Sequence, residues 1–386
     1  MARRPGLASR VTAVVVQSGM LFGLAFASSA GAGPTLTRGP YLQRLTPQSV
    51  TVVWRTDAAA ACSLAIRGEG EPSRIVEGAT GVSCAVEVGG LRPATEYRYA
   101  PRADGVGLGD ESSFRTDGPR TRFTFLVLGD SGCGCPAQLA VRDRMLASPA
   151  DFLLHTGDMI YRKILRPEDF DRLLFGPYRE LMRRLVLWPC LGNHDRERDD
   201  GAIWREVFVT PANNRDGVED YYSFDYGNAH VVVLDSNAPT GRKSAQRRFL
   251  DRDLADSTAP WKFVVLHHTL YSSGGHGSAT RLRRNLVPLF DRHRVTAVFM
   301  GHDHDYERTL PLRDGAVVAP GAGTVYVTTG GGGKSIRPVG TSGFTAFSES
   351  AFHFTRVTVA DDTVVIEMVR ADGLVRDRVA VPRRSS

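Results

Sequence analysis

Cysteine is scarce in this chain of 386 residues, with five in all: Cys62, Cys84, Cys133, Cys135 and Cys190. None has the paired spacing of a zinc ribbon, which excludes a thiolate-held metal, and the odd count leaves at least one thiol without an intramolecular partner. After the first thirty or so residues no apolar stretch is long enough to span a bilayer, so the remainder reads as soluble. No Lys/Arg block stands out, and there is neither an internal repeat nor a low-complexity segment. The formal charge is +6; residues 1–32 hold Arg3, Arg4 and Arg10 and no acid, so the rest carries 6 − 3 = +3. That mild basic bias draws anions to the surface but is too weak to argue for nucleic acid.

What is present begins with a leader. Three arginines precede a mostly apolar run from Val11 to Ala27, and small residues end it at Ala30-Gly31-Ala32. This is the layout of a secretory signal peptide over residues 1–32, which implies a secreted or periplasmic protein and permits disulfides. A permanent anchor is the competing reading, but the run is short for a span and contains Thr12, Gln17, Ser18 and Gly19. The Arg3-Arg4 pair is a poor match to a twin-arginine signal.

Two domains are expected beyond it. From residue 33 to 116 short strands alternate with turn residues: Val50, Val52 and Trp54 share one parity, as do Cys62, Leu64 and Ile66, and Val82, Cys84, Val86 and Val88. This pattern predicts an antiparallel sandwich. With Trp54 as its early tryptophan and Tyr97 at a tyrosine corner, the segment resembles a fibronectin type III domain. Cys62 and Cys84 fall on the inward parity, either as a bridge or as two buried thiols. Asp117-Gly118-Pro119 reads as a linker. Residues 120–386 then alternate strands and helices, with helices over Pro136–Ala147, Glu168–Arg183, Ser244–Ala255 and Arg281–His293. The expected fold class is therefore multidomain: an all-β sandwich followed by an α/β domain in α-β-β-α layers.

Five signatures stand at or beyond predicted strand ends in the second domain: Gly129-Asp130-Ser131-Gly132, Gly157-Asp158-Met159-Ile160-Tyr161, Gly192-Asn193-His194-Asp195, Val264-Val265-Leu266-His267 and Gly301-His302-Asp303-His304. Strand carboxyl ends are where α/β sheets place their sites. A glycine ahead of a ligand lets the backbone come close to an ion. Singly, a Gly-Asp pair is more often a turn, and His267 or the His302/His304 pair would pass as structural or surface histidines. As a set, carboxylates, an amide oxygen and imidazoles are the donors for hard to borderline metal ions.

On these motifs the chain resembles the metallophosphoesterase superfamily and, within it, the purple acid phosphatases. Tyr161, three residues after Asp158, is the marker, supported by Tyr271 and the run Tyr306-Glu307-Arg308. The resemblance implies a binuclear centre of Fe(III) with a divalent ion (Zn, Mn or Fe). Asp130, Asp158, Tyr161 and His304 would hold the ferric ion. Asp158, Asn193, His267 and His302 would hold the divalent one, Asp158 bridging the pair. His194 would face the phosphate, and His276, nine residues after His267, would contact substrate and protonate the leaving alcohol. The implied activity is hydrolysis of small-molecule phosphate monoesters by a metal-bound hydroxide at acidic pH. The alternatives are a phosphodiesterase or nucleotidase with two divalent ions, and a cell-surface binding protein with a non-catalytic phosphoesterase domain.

Three features depart from the family pattern or leave a choice open. Cys133 and Cys135 follow Asp130 and Cys190 precedes Gly192; either one of the pair bonds Cys190, or all three are unrelated thiols. His268 directly follows His267, and the register through Trp261 and Tyr271 favours His267 as the ligand. The run Thr328–Ser335 invites comparison with a nucleotide-binding loop but lacks its frame and a following helix, and reads as a flexible loop near the site. His155, His230 and His353 lie in predicted strands and read as packed, and His293 ends a helix.

Overall fold

The computed structural model describes residues 33–161, 166–197 and 199–384; the expected signal peptide, residues 1–32, lies outside them. The chain opens with β1 (Leu36–Gln43), β2 (Val50–Gly68), β3 (Arg74–Val88), β4 (Glu96–Ala103), β5 (Val106–Gly107) and β6 (Ser112–Arg115). Every pairing among them is antiparallel. The long strand β2 pairs with β1 and β3 through its first half and with β3 and β4 through its second. Its alternating residues explain this: Val50, Val52, Trp54, Leu64 and Ile66 point one way and are buried. The Tyr97 hydroxyl accepts the Arg92 N–H at 2.8 Å, closing the corner that the sequence suggested. Cys62 and Cys84 are disulfide-bonded, the first of the two alternatives left open.

The rest of the chain runs β7 (Phe123–Leu128), α1 (Pro136–Leu146), β8 (Phe152–His155), α2 (Arg179–Met182), β9 (Val186–Pro189), α3 (Asn193–Arg196) and α4 (Ala202–Val207). There follow β10 (Tyr222–Tyr226), β11 (Ala229–Val233), α5 (Ala245–Asp256), β12 (Trp261–Val265), α6 (Thr280–Arg292), β13 (Ala297–Met300) and β14 (Tyr306–Thr309). A small hairpin, β15 (Leu312–Arg313) and β16 (Ala316–Val317), precedes β17 (Val325–Thr329), β18 (Thr345–Glu349), β19 (His353–Val359), β20 (Thr363–Arg370) and β21 (Val375–Pro382). Two sheets result, ordered β21-β20-β19-β7-β8-β9 and β10-β11-β12-β13-β17-β14-β18. Strands β7, β8 and β9 are parallel in the first, and β11, β12, β13 and β17 in the second.

The sheets face each other across an aromatic core, where Phe125 meets Phe263 at 5.4 Å and Phe299 at 5.9 Å between ring centroids. Residues of the other parity point outward. Leu126, Leu128 and Leu153 pack with Val141 and Met145 of α1, and Val232, Val264 and Val298 with Leu250, Leu254, Leu286 and Phe290 of α5 and α6. Buried on both faces, such strands read as continuous apolar runs. The layers are α-β-β-α, as expected.

Two expectations are corrected. The single helix over residues 168–183 is broken into a π turn, Asp171–Phe175, and the short α2. Gly176 and Pro177 stand between them, and proline has no N–H to continue the ladder. The run Thr328–Ser335 is not a free loop: Thr328 and Thr329 end β17 in the interior of a sheet, and Gly330–Gly333 are buried.

Candidate metal centre

The parallel strands of both sheets deliver their carboxyl ends to one edge. Asp130 follows β7, Asp158 follows β8, Asn193 opens α3 after β9, His267 follows β12 and His302 follows β13. Asp130, Asp158 and His302 adopt left-handed backbone conformations, with φ of 57°, 54° and 71°. Non-glycine residues hold such angles only where their surroundings impose them. The glycines at these turns are required by proximity: a Cβ on Gly192 would lie 2.1 Å from Asp158 Oδ1, and one on Gly301 2.5 Å from Asp130 Oδ2.

All seven expected ligands meet in one cluster. Donor atoms of Asp130, Asp158 and His267 lie within 4.8 Å of one another, and all three residues are buried. On one side the Tyr161 hydroxyl donates to Asp130 Oδ1 at 2.7 Å and stands 3.0 Å from His304 Nε2. On the other side Asn193 Oδ1 is 3.0 Å from both His267 Nε2 and His302 Nδ1. Asp158 has a donor atom within 4.8 Å of those of Asp130 on one side and His267 on the other, and its Oδ2 lies 3.4 Å from His267 Nε2 and 4.0 Å from His194 Nε2. Carbonyl oxygens set two of the tautomers. His267 Nδ1–H donates to Thr156 O at 2.9 Å and His304 Nδ1–H to Ser335 O at 2.9 Å, which turns each Nε2 into the cluster.

The electrostatics call for added positive charge. Burial pushes the Asp130 carboxyl well above its usual range, and the charge of Asp158 adds to this. Burial likewise carries Asp195 up to about 7, again with Asp158 adding. Burial opposes a charge on His267, yet Asp158 and Asp130 raise it to about 9. His304 falls to about 4, mainly through burial. Burial opposes the charge of Asp158, but His267 and then His194 hold it below the usual carboxylate range; Asp130 and Asp195 are left under-compensated, and bound cations would supply what is missing. The donor set of carboxylate, phenol, amide and imidazole therefore fits a pair of hard to borderline ions.

The two expected substrate-facing histidines stand at the rim. His194 donates or accepts at Glu197 through Nδ1, 3.2 Å, and its ring lies 4.8 Å from that of Tyr161. His276 is exposed, stacks on His302 at 4.1 Å, and meets Arg337 through Nε2. Partial desolvation of the ring and then the charge of Arg337 lower its pKa. His268 does not join the cluster core: its Nδ1 is 2.8 Å from Ser236 Oγ, which leaves His267 as the inward histidine.

The cysteine expectations for this region are overturned. Cys133 bonds Cys135, two positions away, and Cys190 is a free buried thiol facing the Leu234 carbonyl. Cys190 belongs to the core between the sheets, out of line with the loop that carries the other two. Asp195, the last residue of the Gly192-Asn193-His194-Asp195 motif, has a part that the motif alone does not reveal. Its carboxylate accepts N–H groups of Asp158, Met159 and Gly192 at 2.8, 3.0 and 2.9 Å, and so ties the β8 and β9 loops together.

This arrangement defines a class. The pattern of the calcineurin-like phosphoesterases matches residues 123–306, from β7 to the start of β14. The chain thus carries a calcineurin-like phosphoesterase domain, and it resembles the purple acid phosphatases. It is 31% identical over 303 residues to purple acid phosphatase 21 of Arabidopsis thaliana, covering 72% of this chain and 65% of that protein. A nucleotide pyrophosphatase/phosphodiesterase of Hordeum vulgare is 26% identical over 284 residues, covering 64% of this chain and 77% of its own. Among solved structures, a purple acid phosphatase from yellow lupin seeds superposes with a TM-score of 0.78 at 20% identity, covering 91% of this chain and 74% of that one. No helix among the described residues is long and apolar enough to cross a membrane.

Proposed function

We propose that this chain is an exported acid phosphatase that hydrolyses small-molecule phosphate monoesters with two metal ions, Fe(III) and a divalent Zn, Mn or Fe. Residues 1–32 serve as its export signal, residues 33–116 form a fibronectin type III-like domain, and residues 120–386 form the catalytic domain. The observation that carries the reading is the Tyr161 phenol hydrogen-bonded to Asp130 and facing His304, which supports a phenolate ligand on the ferric side. Asp130, Asp158, Tyr161 and His304 would hold that ion; Asp158, Asn193, His267 and His302 the divalent one. When bound, the ions would supply Lewis acidity at the phosphoryl oxygens and an activated water. The chain's own part is to orient the ester. His194, with Nδ1 engaged by Glu197, turns Nε2 toward the space over Asp158, where it can give a proton or a hydrogen bond to the phosphate. His276, stacked on His302, is the second candidate to contact the substrate.

The similarity to the barley nucleotide pyrophosphatase/phosphodiesterase favours a second reading, a phosphodiesterase or nucleotidase with two divalent ions. Metal analysis with a visible spectrum separates the two. The first reading requires about two ions per chain, iron among them, as two-metal sites do. It also requires a broad visible band that Tyr161→Phe abolishes while the fold stays intact. Colourless protein with two zinc ions and no iron would transfer the chain to the second reading. Comparing an aryl phosphate with a bis-aryl phosphate as substrates would then rank monoester against diester.

A further inference from the structure

The glycine-rich run after β17 belongs to no ligand set, yet its backbone is tied to the metal site at each step. Gly332 N–H donates to Gly129 O at 3.0 Å and Lys334 N–H to Asp130 O at 2.9 Å. Ser335 O accepts from the His304 ring, and Arg337 N–H donates to His304 O at 3.0 Å. The path of residues 332–337 along the rim is therefore fixed by the same residues that gather the cluster. Its two cationic side chains then have defined places. Lys334 Nζ lies 4.8 Å from the Tyr161 ring centroid. The Arg337 guanidinium meets His276 Nε2, and His276 in turn stacks on His302.

Among the described residues neither cation forms an ion pair. Asp305 is near enough for its carboxyl to feel the charge of Arg337, but it is buried and makes no bond to it. Arg308 and Arg196, by contrast, each have an acid, Asp377 and Asp235. A guanidinium is a planar fork of donors suited to two anionic oxygens, and one imidazole nitrogen leaves most of the fork unused. Arg337 adjoins His276, proposed to contact the substrate, and Lys334 lies over the ring of Tyr161, proposed to hold a metal, so both cations flank the cluster without belonging to it.

The geometry points to a second anion subsite at Arg337 and Lys334, which holds the non-scissile phosphate of a substrate with two phosphoryl groups in series. The ligand class is pyrophosphate-type: a nucleoside diphosphate or triphosphate, or inorganic pyrophosphate. Arg337 contributes the directed hydrogen bonds and Lys334 a point charge across the rim. This deepens the proposed phosphoesterase reading and rests on it. The competing role for Arg337 is to hold His276 in place, which would affect every substrate alike.

The test uses the metal-loaded protein with p-nitrophenyl phosphate and ADP as substrates, and calorimetric binding of inorganic phosphate and pyrophosphate. Arg337→Gln should raise KM for ADP and weaken pyrophosphate binding by about tenfold to a hundredfold, the range for a lost charge-assisted hydrogen bond. Phosphate binding and the aryl phosphate should change by much less. Lys334→Gln should act in the same direction more weakly, and Arg337→Lys should recover part of the loss by restoring charge without the fork. Equal losses on both substrates and both anions, in variants whose melting midpoints match the wild type, would overturn the subsite in favour of the His276-holding role. Wild-type protein that cleaves neither ester yet prefers pyrophosphate through Arg337 would sink the hydrolase reading alone. Hydrolysis of aryl phosphate with no Arg337-dependent preference would sink the subsite alone.

Discussion

Asp195 shows how much of this site depends on a residue that faces no substrate. Three backbone N–H groups from two loops converge on its two oxygens, and those loops carry Asp158 and Asn193. Replacing one oxygen by an amide NH2 sets donor against donor inside the protein, at about 1–3 kcal/mol. Asp195→Asn should therefore lower the melting midpoint and weaken metal binding by about 10–100-fold, the usual effect of losing an outer partner of the ligands. A metal titration giving wild-type affinity would remove Asp195 from this positioning role. His194 should behave in the opposite sense. Its backbone N–H bonds Asp158 Oδ1 at 2.9 Å, which an alanine preserves, while its ring only overhangs the cluster. His194→Ala should keep metal content and colour and lose about 10²–10⁴ in kcat on an aryl phosphate. If His194 is the acid, the loss should shrink for esters whose leaving group needs no proton; if it stabilises charge, the loss should persist for all. A variant that loses its metals would make His194 a ligand.

At the scale of elements, strands and helices with a clear repeat were legible. The chain from Phe123 to Leu128 is strand from end to end as expected, and α1, α5 and α6 lie where their patterns put them. Strand β17 was not: Val325–Thr329 is buried on both faces, shows no alternation, and runs straight into four glycines. The seven residues that gather in the cluster could be singled out because each sits in a short linear motif at or beyond a predicted strand end, most of them with a glycine close by. The bonds that place them could not, since Thr156 O, Ser335 O and the contacts of Asp195 to Asp158 and Met159 act across more than twenty positions of sequence. The Cys133–Cys135 bond was missed for a similar reason, because spacing alone favours no partner. His230 was expected to be merely packed, and it is packed between two acids. It lies 2.8 Å from Asp225 of β10 and 2.9 Å from Asp253 of α5. Burial opposes its charge, but the two carboxylates carry it up from 6.5 to about 9. A raised pKa stabilises the fold fully below pH 6.5, and the contribution is lost as pH rises through 9. With Asp225 largely exposed and screened, the term is roughly 2–3 kcal/mol. His230→Gln should lower the midpoint of urea unfolding at pH 6 and barely change it at pH 9.5. A variant equally destabilised at both pH values would mean that packing, not charge, is lost.

The whole molecule raises the question of whether two sequence domains behave as two folding units. Residues 34–386 cluster as one compact body. The contacts that join the first sheet to the later layers are buried and polar. Gln43, 1% exposed, donates to Leu187 O at 2.8 Å and accepts the Val209 N–H at 3.0 Å. The Tyr99 hydroxyl donates to Arg183 O at 2.8 Å. Arg38 is buried against Asp171 and the Pro167 carbonyl, and Tyr41 bonds the Val207 carbonyl. Leu187 lies in β9, whose following loop carries Asn193, so one glutamine links the first sheet to a strand of the metal site. Separate domains joined by a wet, mobile interface would melt in separate steps. An interface that satisfies backbone groups of the catalytic layers instead couples the two halves. Gln43→Leu keeps the volume but leaves the Leu187 carbonyl and the Val209 N–H without partners in a buried place. At about 1–3 kcal/mol for each unsatisfied group, the total loss should be about 2–6 kcal/mol. Thermal unfolding followed by tryptophan fluorescence and by residual hydrolysis should give one coincident transition in the wild type, displaced as a whole in Gln43→Leu. Trp54 reports on the first sheet and Trp188, Trp204 and Trp261 on the rest, so a fluorescence trace that splits into two steps, with only the first one moved, would show that the halves fold independently.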